Sequence, residues 1–295
     1  MYLYLWFILI YAFLGWCAEV AYAAVNTGKF INRGFLNGSV CPIYGFGAVI
    51  IIASLTPLRD NIILLFLGSV LMTSALEWFT GWAFYKIFSQ KWWDYSDLPF
   101  NIGGYICLKF SLLWGIVCLL VVNVIHPIIQ DLVLLVDIRV GQIILIIFYT
   151  YLAVDLVATV QTVFKLSKQL KQINQIAAKM RNLSDYIGEK ISSESILFME
   201  KTEELKTEMA ELKDNAIEVI EEGKTIATRV IEEQDEKLAQ IIEKQTIQFN
   251  ELKNSFVQML DKSFMGQKRI LQAFPNMKSK KYNEELKVLK KKYLK

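Results

Sequence analysis

The chain has 295 residues, is 54% hydrophobic and carries a formal net charge of +3, which by itself decides little. A single histidine, His126, all but excludes zinc centres and Ser-His-Asp triads. Residues 1–164 hold 7 Lys/Arg and 8 Asp/Glu, against 25 and 21 in residues 165–295, so the first part has too few charges for a wet surface and its solvent is read as lipid.

In chain order, apolar stretches over about 2–25, 40–56, 61–86, 105–125 and 140–164 predict five transmembrane helices, each near the ~20 residues needed to cross ~30 Å of hydrocarbon. The first is too long for a signal core and no basic residue precedes it, so it is expected to stay in the mature protein. The second is short, and Gly45 and Gly47 make its start a candidate for a re-entrant or broken helix. Two connections are long and polar, 26–39 and 87–104. His126 beside Pro127 reads as a loop. The four cysteines, Cys17, Cys41, Cys107 and Cys118, lie in or beside apolar stretches and read as free thiols.

Basic residues set the expected orientation. Lys165, Lys168 and Lys171 follow the fifth span, so that end is expected in the cytoplasm. Alternation then puts 26–39 and 87–104 inside as well, for an N-out, C-in topology. Residues 165–274 read as one long helix: Leu205, Met209, Leu212, Ala216, Val219, Ile226 and Val230, then Leu238, Ile242, Phe249, Leu252, Phe256 and Met259, follow coiled-coil spacing with an interruption. Fully extended it would reach ~165 Å, and a fold-back near Gly223 fits equally. Residues 275–295 form a basic tail. The predicted fold is therefore all-α: a transmembrane bundle over 1–164, a cytoplasmic coiled coil over 165–274, and the tail. A weaker pattern suggests parallel duplication: a helix with one carboxylate (Glu19, then Glu77), a polar loop, and a return helix opening near a cysteine (Cys41, then Cys107).

The strings Asn32-Arg33-Gly34-Phe35-Leu36-Asn37-Gly38, Cys41-Pro42-Ile43-Tyr44-Gly45, Leu76-Glu77-Trp78-Phe79-Thr80-Gly81, Trp93-Asp94-Tyr95-Ser96, Pro99-Phe100-Asn101 and Ser111-Leu112-Leu113-Trp114-Gly115 recur in an order that resembles the Putative ABC-transporter type IV family, also called CmpB-like, over about residues 5–160. The ending Arg269-Ile270-Leu271-Gln272-Ala273-Phe274-Pro275-Asn276 looks like endings of the same family. The resemblance implies a bacterial membrane protein with a permease label and no settled substrate.

The candidate site residues are Glu19, Asn32, Arg33, Cys41, Tyr44, Glu77, Trp93, Asp94, Tyr95, Asn101 and Ser111. A carboxylate inside a span costs ~2.5–3.5 kcal/mol on insertion scales, so Glu19 and Glu77 either face a cavity or pair with Arg33 or a Trp N–H. Asp155, in the fifth span, is read either way. Arg33 suits an anionic headgroup or a carboxylate, or is a plain positive-inside anchor. Trp92, Trp93 and Tyr95 fit an interfacial belt, while Asp94 and Asn101 could cap helices or line a site. Cys41 fits helix packing better than a nucleophile. Gly223-Lys224-Thr225 lacks the glycine five positions earlier that a phosphate-binding loop needs, since Glu218 stands there, so ATP-driven work would need a separate ATPase.

Three readings follow: transport of a small solute or lipid past the buried acids, a membrane-anchored scaffold or sensor, and a membrane enzyme. No catalytic spacing supports the last, so the chain is expected not to be an enzyme and to need no cofactor. Expected partners are the bilayer, a second copy through the coiled coil, an ATPase or cytoplasmic protein, and anionic lipid at the basic tail, with no nucleic acid. The expected location is the bacterial cytoplasmic membrane.

Overall fold

The computed structural model describes residues 1–211 and 217–294, and the chain is almost entirely helical. Two compact units emerge: residues 1–170 together with 263–295, and residues 171–262.

The first unit opens with α1, Tyr2–Thr27, which Gly28 ends in the left-handed conformation (φ 67°). An irregular segment leads to α2, Pro42–Leu55, with Pro42 at the first position, where its missing N–H costs nothing. A 3-10 turn, Thr56–Leu58, follows. The helix α3, Ile62–Phe88, starts at Asn61, whose side chain accepts from the Leu64 N–H. The second connection holds short strands: β1, Gln90–Lys91; β2, Asn101–Ile102; and β3, Ile106–Cys107. Next come α4, Leu108–Leu120, a π turn over Val121–Ile125, and α5, His126–Leu134. The long helix α6 is Ile138–Glu211.

Four of these helices are long and apolar enough to cross a membrane: Tyr2–Thr27, Ile62–Phe88, Leu108–Leu134 and the Ile138–Lys190 part of α6. Many of their side chains are exposed leucine, isoleucine and phenylalanine, as a surface facing hydrocarbon requires. The shorter apolar helix Pro42–Leu58 reaches about 27 Å, just under the hydrocarbon thickness. It runs unbroken from Pro42, so Gly45 and Gly47 do not interrupt it.

α1 packs on α2 and α3 on α4, forming two hairpins. Their close approach needs small residues: a Cβ on Gly15 would overlap the Tyr44 ring. Phe7, Tyr11, Ile52, Ile129 and Val133 form one buried cluster, and Ile51, Leu55, Leu65, Cys118 and Val122 another.

His126 corrects the sequence expectation of a loop. It is helical and buried, with its ring edge-on to Phe7 at 4.7 Å and Nδ1 3.3 Å from Tyr11 Oη. Pro127 supplies no N–H, yet the helix continues through the π turn, and the carbonyl of Asn123 accepts from Arg59 Nη2 at 3.4 Å.

The residues after 262 also differ from a single helix running to Pro275. The helix α7, Ile217–Asp261, stops early; Gly266 takes φ 84°, and α8 begins at Gln267 and ends at Ala273. Then come β4, Lys278–Ser279, and α9, Asn283–Tyr293. These residues fold with the first unit. β4 pairs antiparallel with β1, Gln267 Nε2 donates to Gln169 Oε1 at 2.6 Å, and Trp92 meets Phe274 edge-on at 4.7 Å. A straight rod from 165 to 274 is therefore excluded.

The second unit consists of residues 171–211 of α6 and α7. Half-buried or buried residues recur at steps of three and four along both legs: 173, 176, 180, 183, 187 and 190, then 242, 245, 249, 252, 256 and 259. Leu212 and Ala216, in the first of the predicted heptad runs, lie outside the described residues.

Candidate functional site

The two polar connections and the C-terminal segment meet at one end of the bundle, and two acid–tyrosine pairs lie there. Glu19, two turns before the end of α1, accepts a hydrogen bond from Tyr44 Oη at 2.5 Å. Its other oxygen is 3.1 Å from Arg33 Nε, close enough for an ion pair but not aligned as a hydrogen bond. The Arg33 guanidinium lies over the Tyr22 ring at 5.2 Å. In the second hairpin Tyr95 Oη donates to Glu77 Oε1 at 3.2 Å, while Glu77 Oε2 is buried with no hydrogen-bond partner among the described residues.

Aromatic rings wall both pairs: Trp114 stands edge-on to Tyr44 at 5.6 Å, and Phe110 stacks on Tyr95 at 4.9 Å. The pairs share one neighbourhood. Burial pushes the Tyr95 phenol well above its ordinary range, the adjacent Glu77 adds to this, and Glu19 acts in the same direction from the other hairpin. Among the described residues Glu19 is thus matched by a cation, whereas Glu77 meets a hydroxyl and no cation. Such a site can take up a proton or a cation at Glu77 without first breaking an ion pair.

The other candidates build the loops around these pairs. Asn32 Oδ1 accepts from Trp16 Nε1 at 2.8 Å and the Gly34 N–H at 3.0 Å, and its Nδ2 donates to the Asn37 carbonyl. Asn101 does similar work in the second loop, donating to the Ser96 and Leu98 carbonyls and accepting from Gly104 N–H. Trp93 Nε1 donates to the Tyr105 carbonyl at 2.9 Å. Ser111 accepts from Ser74 Oγ at 2.8 Å. Cys41 is buried at the start of α2 and Cys107 at the start of α4, so each hairpin's return helix opens on a free cysteine.

Asp94 holds the second loop to the C-terminal segment. It accepts from Lys91 Nζ at 2.7 Å, Ser96 Oγ at 2.5 Å and Lys278 Nζ at 2.5 Å. Burial works against its charge, but Lys278, Lys91 and Ser96 outweigh that and hold the carboxyl well below the usual range.

Two further residues carry the first loop. Asp155 of α6 is buried and accepts from the backbone N–H groups of Asn37 and Gly38 and from Asn37 Nδ2. Arg269 donates to the carbonyls of Gly34 and Phe35, both at 2.8 Å, and to Asn37 Oδ1 at 3.0 Å. Arg269 stands more than 230 positions from these partners, so no spacing pattern links them; the quoted strings containing it and Asn37 were the available signal.

Four helices long and apolar enough to cross a membrane define the class, a membrane-embedded protein. The family model described as Putative ABC-transporter type IV matches residues 5–160, which is more than half of the chain. The chain belongs to that family. No curated protein and no solved structure matches it.

Proposed function

We propose that the chain is a transport protein that moves a small solute or a lipid past the Glu19–Tyr44 and Glu77–Tyr95 pairs. The observation that carries this reading is the convergence of the two pairs from separate hairpins, with one oxygen of Glu77 unpartnered. Buried acids in a bundle are costly, and changing their protonation gives a handle for binding and release. In this reading the chain crosses the bacterial cytoplasmic membrane five times, α2 included, with the polar end and the C-terminal segment in the cytoplasm. It performs no catalysis of its own, and a separate ATPase would supply any ATP-driven step.

The second unit favours a second reading, a scaffold or sensor. Two helical legs with three-and-four stripes suit an antiparallel coiled coil within one chain, available to a second copy or a cytoplasmic protein.

One experiment separates the two. Solute and proton-linked flux are measured in vesicles holding the full chain, the Glu19→Gln/Glu77→Gln variant, and a chain in which a short linker replaces residues 171–262. Transport predicts flux that survives the linker and is lost with both acids. A cellular phenotype lost with the linker and unchanged in the Gln variant supports the scaffold instead.

A further inference from the structure

One face of α3 is exposed along its length: Leu64, Leu67, Leu71, Trp78 and Trp82 recur at helical spacing on it. Lys86 extends the same stripe by one more turn, with Nζ 6.0 Å from the Trp82 ring. The pairing of β1 with β4 delivers a second lysine to this turn. The Lys280 N–H donates to the Ser89 carbonyl at 2.9 Å, and its Nζ lies 5.4 Å from the Tyr85 ring. Tyr85 and Trp82 are three residues apart, about 60° around the helix, so the two ammonium groups lie over neighbouring rings of its last turns.

The neighbouring charges leave this pair uncompensated. Asp94 is already engaged by Lys91 and Lys278. Among the described residues no carboxylate lies within ion-pair distance of Lys86 or Lys280, and Glu284 pairs with Lys287. A hydrocarbon-facing stripe thus runs, through stacked Trp78 and Trp82, into two free cations.

We propose that this end of α3 binds the headgroup of an anionic phospholipid, with its phosphate between Lys86 and Lys280 and its acyl chains along the Leu67–Trp82 stripe. Free phosphate shares the headgroup's charge but not the apolar stripe, which points to the membrane lipid as the source. Cationic rows beside a bilayer attract such lipids, and each lysine adds to the affinity.

The test uses the full-length protein in phosphatidylcholine nanodiscs containing a minor fraction of phosphatidylglycerol, with lipid retained after detergent extraction counted by native mass spectrometry. Wild type is expected to retain phosphatidylglycerol over phosphatidylcholine. Lys86→Gln/Lys280→Gln is expected to lower that preference by roughly thirty-fold. Lys86→Arg/Lys280→Arg is expected to keep it, and matching melting curves in pure phosphatidylcholine verify the fold of each variant. Equal retention by the Gln variant overturns the proposal. So does displacement of the lipid by inorganic phosphate, which would make the site one for a soluble anion.

Discussion

Asp155 accepts both the backbone and the side-chain N–H of Asn37, a residue 118 positions earlier, and takes the Gly38 N–H on its second oxygen at 2.7 Å. A buried carboxylate in a span is thereby spent on three loop donors, which makes it the fastener of the first polar connection. Asp155→Ala is expected to destabilise the protein by about 1–3 kcal/mol for each stranded N–H. Asp155→Asn, which keeps one acceptor, costs less. Thermal unfolding in lipid measures both, and equal melting of Asp155→Ala and wild type contradicts the assignment.

Arg269 reaches the same loop from the C-terminal side. Its planar fork matches three acceptors, which a single ammonium cannot. Arg269→Lys is therefore expected to behave like Arg269→Ala, with amide exchange over residues 267–294 faster by at least about tenfold, the factor for ~1.4 kcal/mol of lost docking. Rescue by lysine would show that charge alone holds the segment.

The two tyrosines differ in how closely they hold their acids. Tyr44 bonds a carboxylate at 2.5 Å, while Tyr95 does so at 3.2 Å. Tyr44→Phe is expected to cost about 1.5–3 kcal/mol, the range for hydrogen bonds to charged groups. Tyr95→Phe is expected to cost less. Melting temperatures of the two variants check the order.

The latch between Asp94 and Lys278 has a defined pH window. The folded Asp94 is held below its ordinary value of 3.8, so its stabilisation is full above 3.8 and is lost as pH falls through the folded value. Lys278 is raised above 10.5, so its contribution is present below 10.5 and is lost at higher pH. Lys290, pushed down to about 8 by burial and then by Lys278, acts oppositely and strengthens docking as pH rises from 8 to 10.5. Melting temperature is expected to fall more steeply below pH 4 for wild type than for Asp94→Asn. Parallel curves would remove Asp94 from the latch.

Of the five predicted spans, four were legible as helices long and apolar enough to cross a membrane, because hydrocarbon demands long apolar runs and those survive in composition alone. His126 was not: Pro127 reads as a break, whereas the helix runs on through a π turn, with the Asn123 carbonyl taken up by Arg59. The Glu19–Arg33 ion pair was legible because the two sit on either side of one helix end. The tyrosine partners were not, since Tyr44 and Tyr95 are aromatic residues in aromatic-rich surroundings and only packing aims their hydroxyls. The folding of residues 263–294 with the bundle depends on Arg269, Lys278 and Phe274 meeting residues far away in sequence, whereas local pattern and charge read only a helix to 274 and a basic tail after it.

In the proposed transport reading the two acid–tyrosine pairs work as one site on a solute path. Flux through reconstituted vesicles tests it most directly, comparing Glu19→Gln, Glu77→Gln and the double variant at matched protein content. Each single change is expected to lower flux at least about tenfold, and the double to fall short of the product of the two, as groups acting as a unit do. Wild-type flux in the double variant would contradict it.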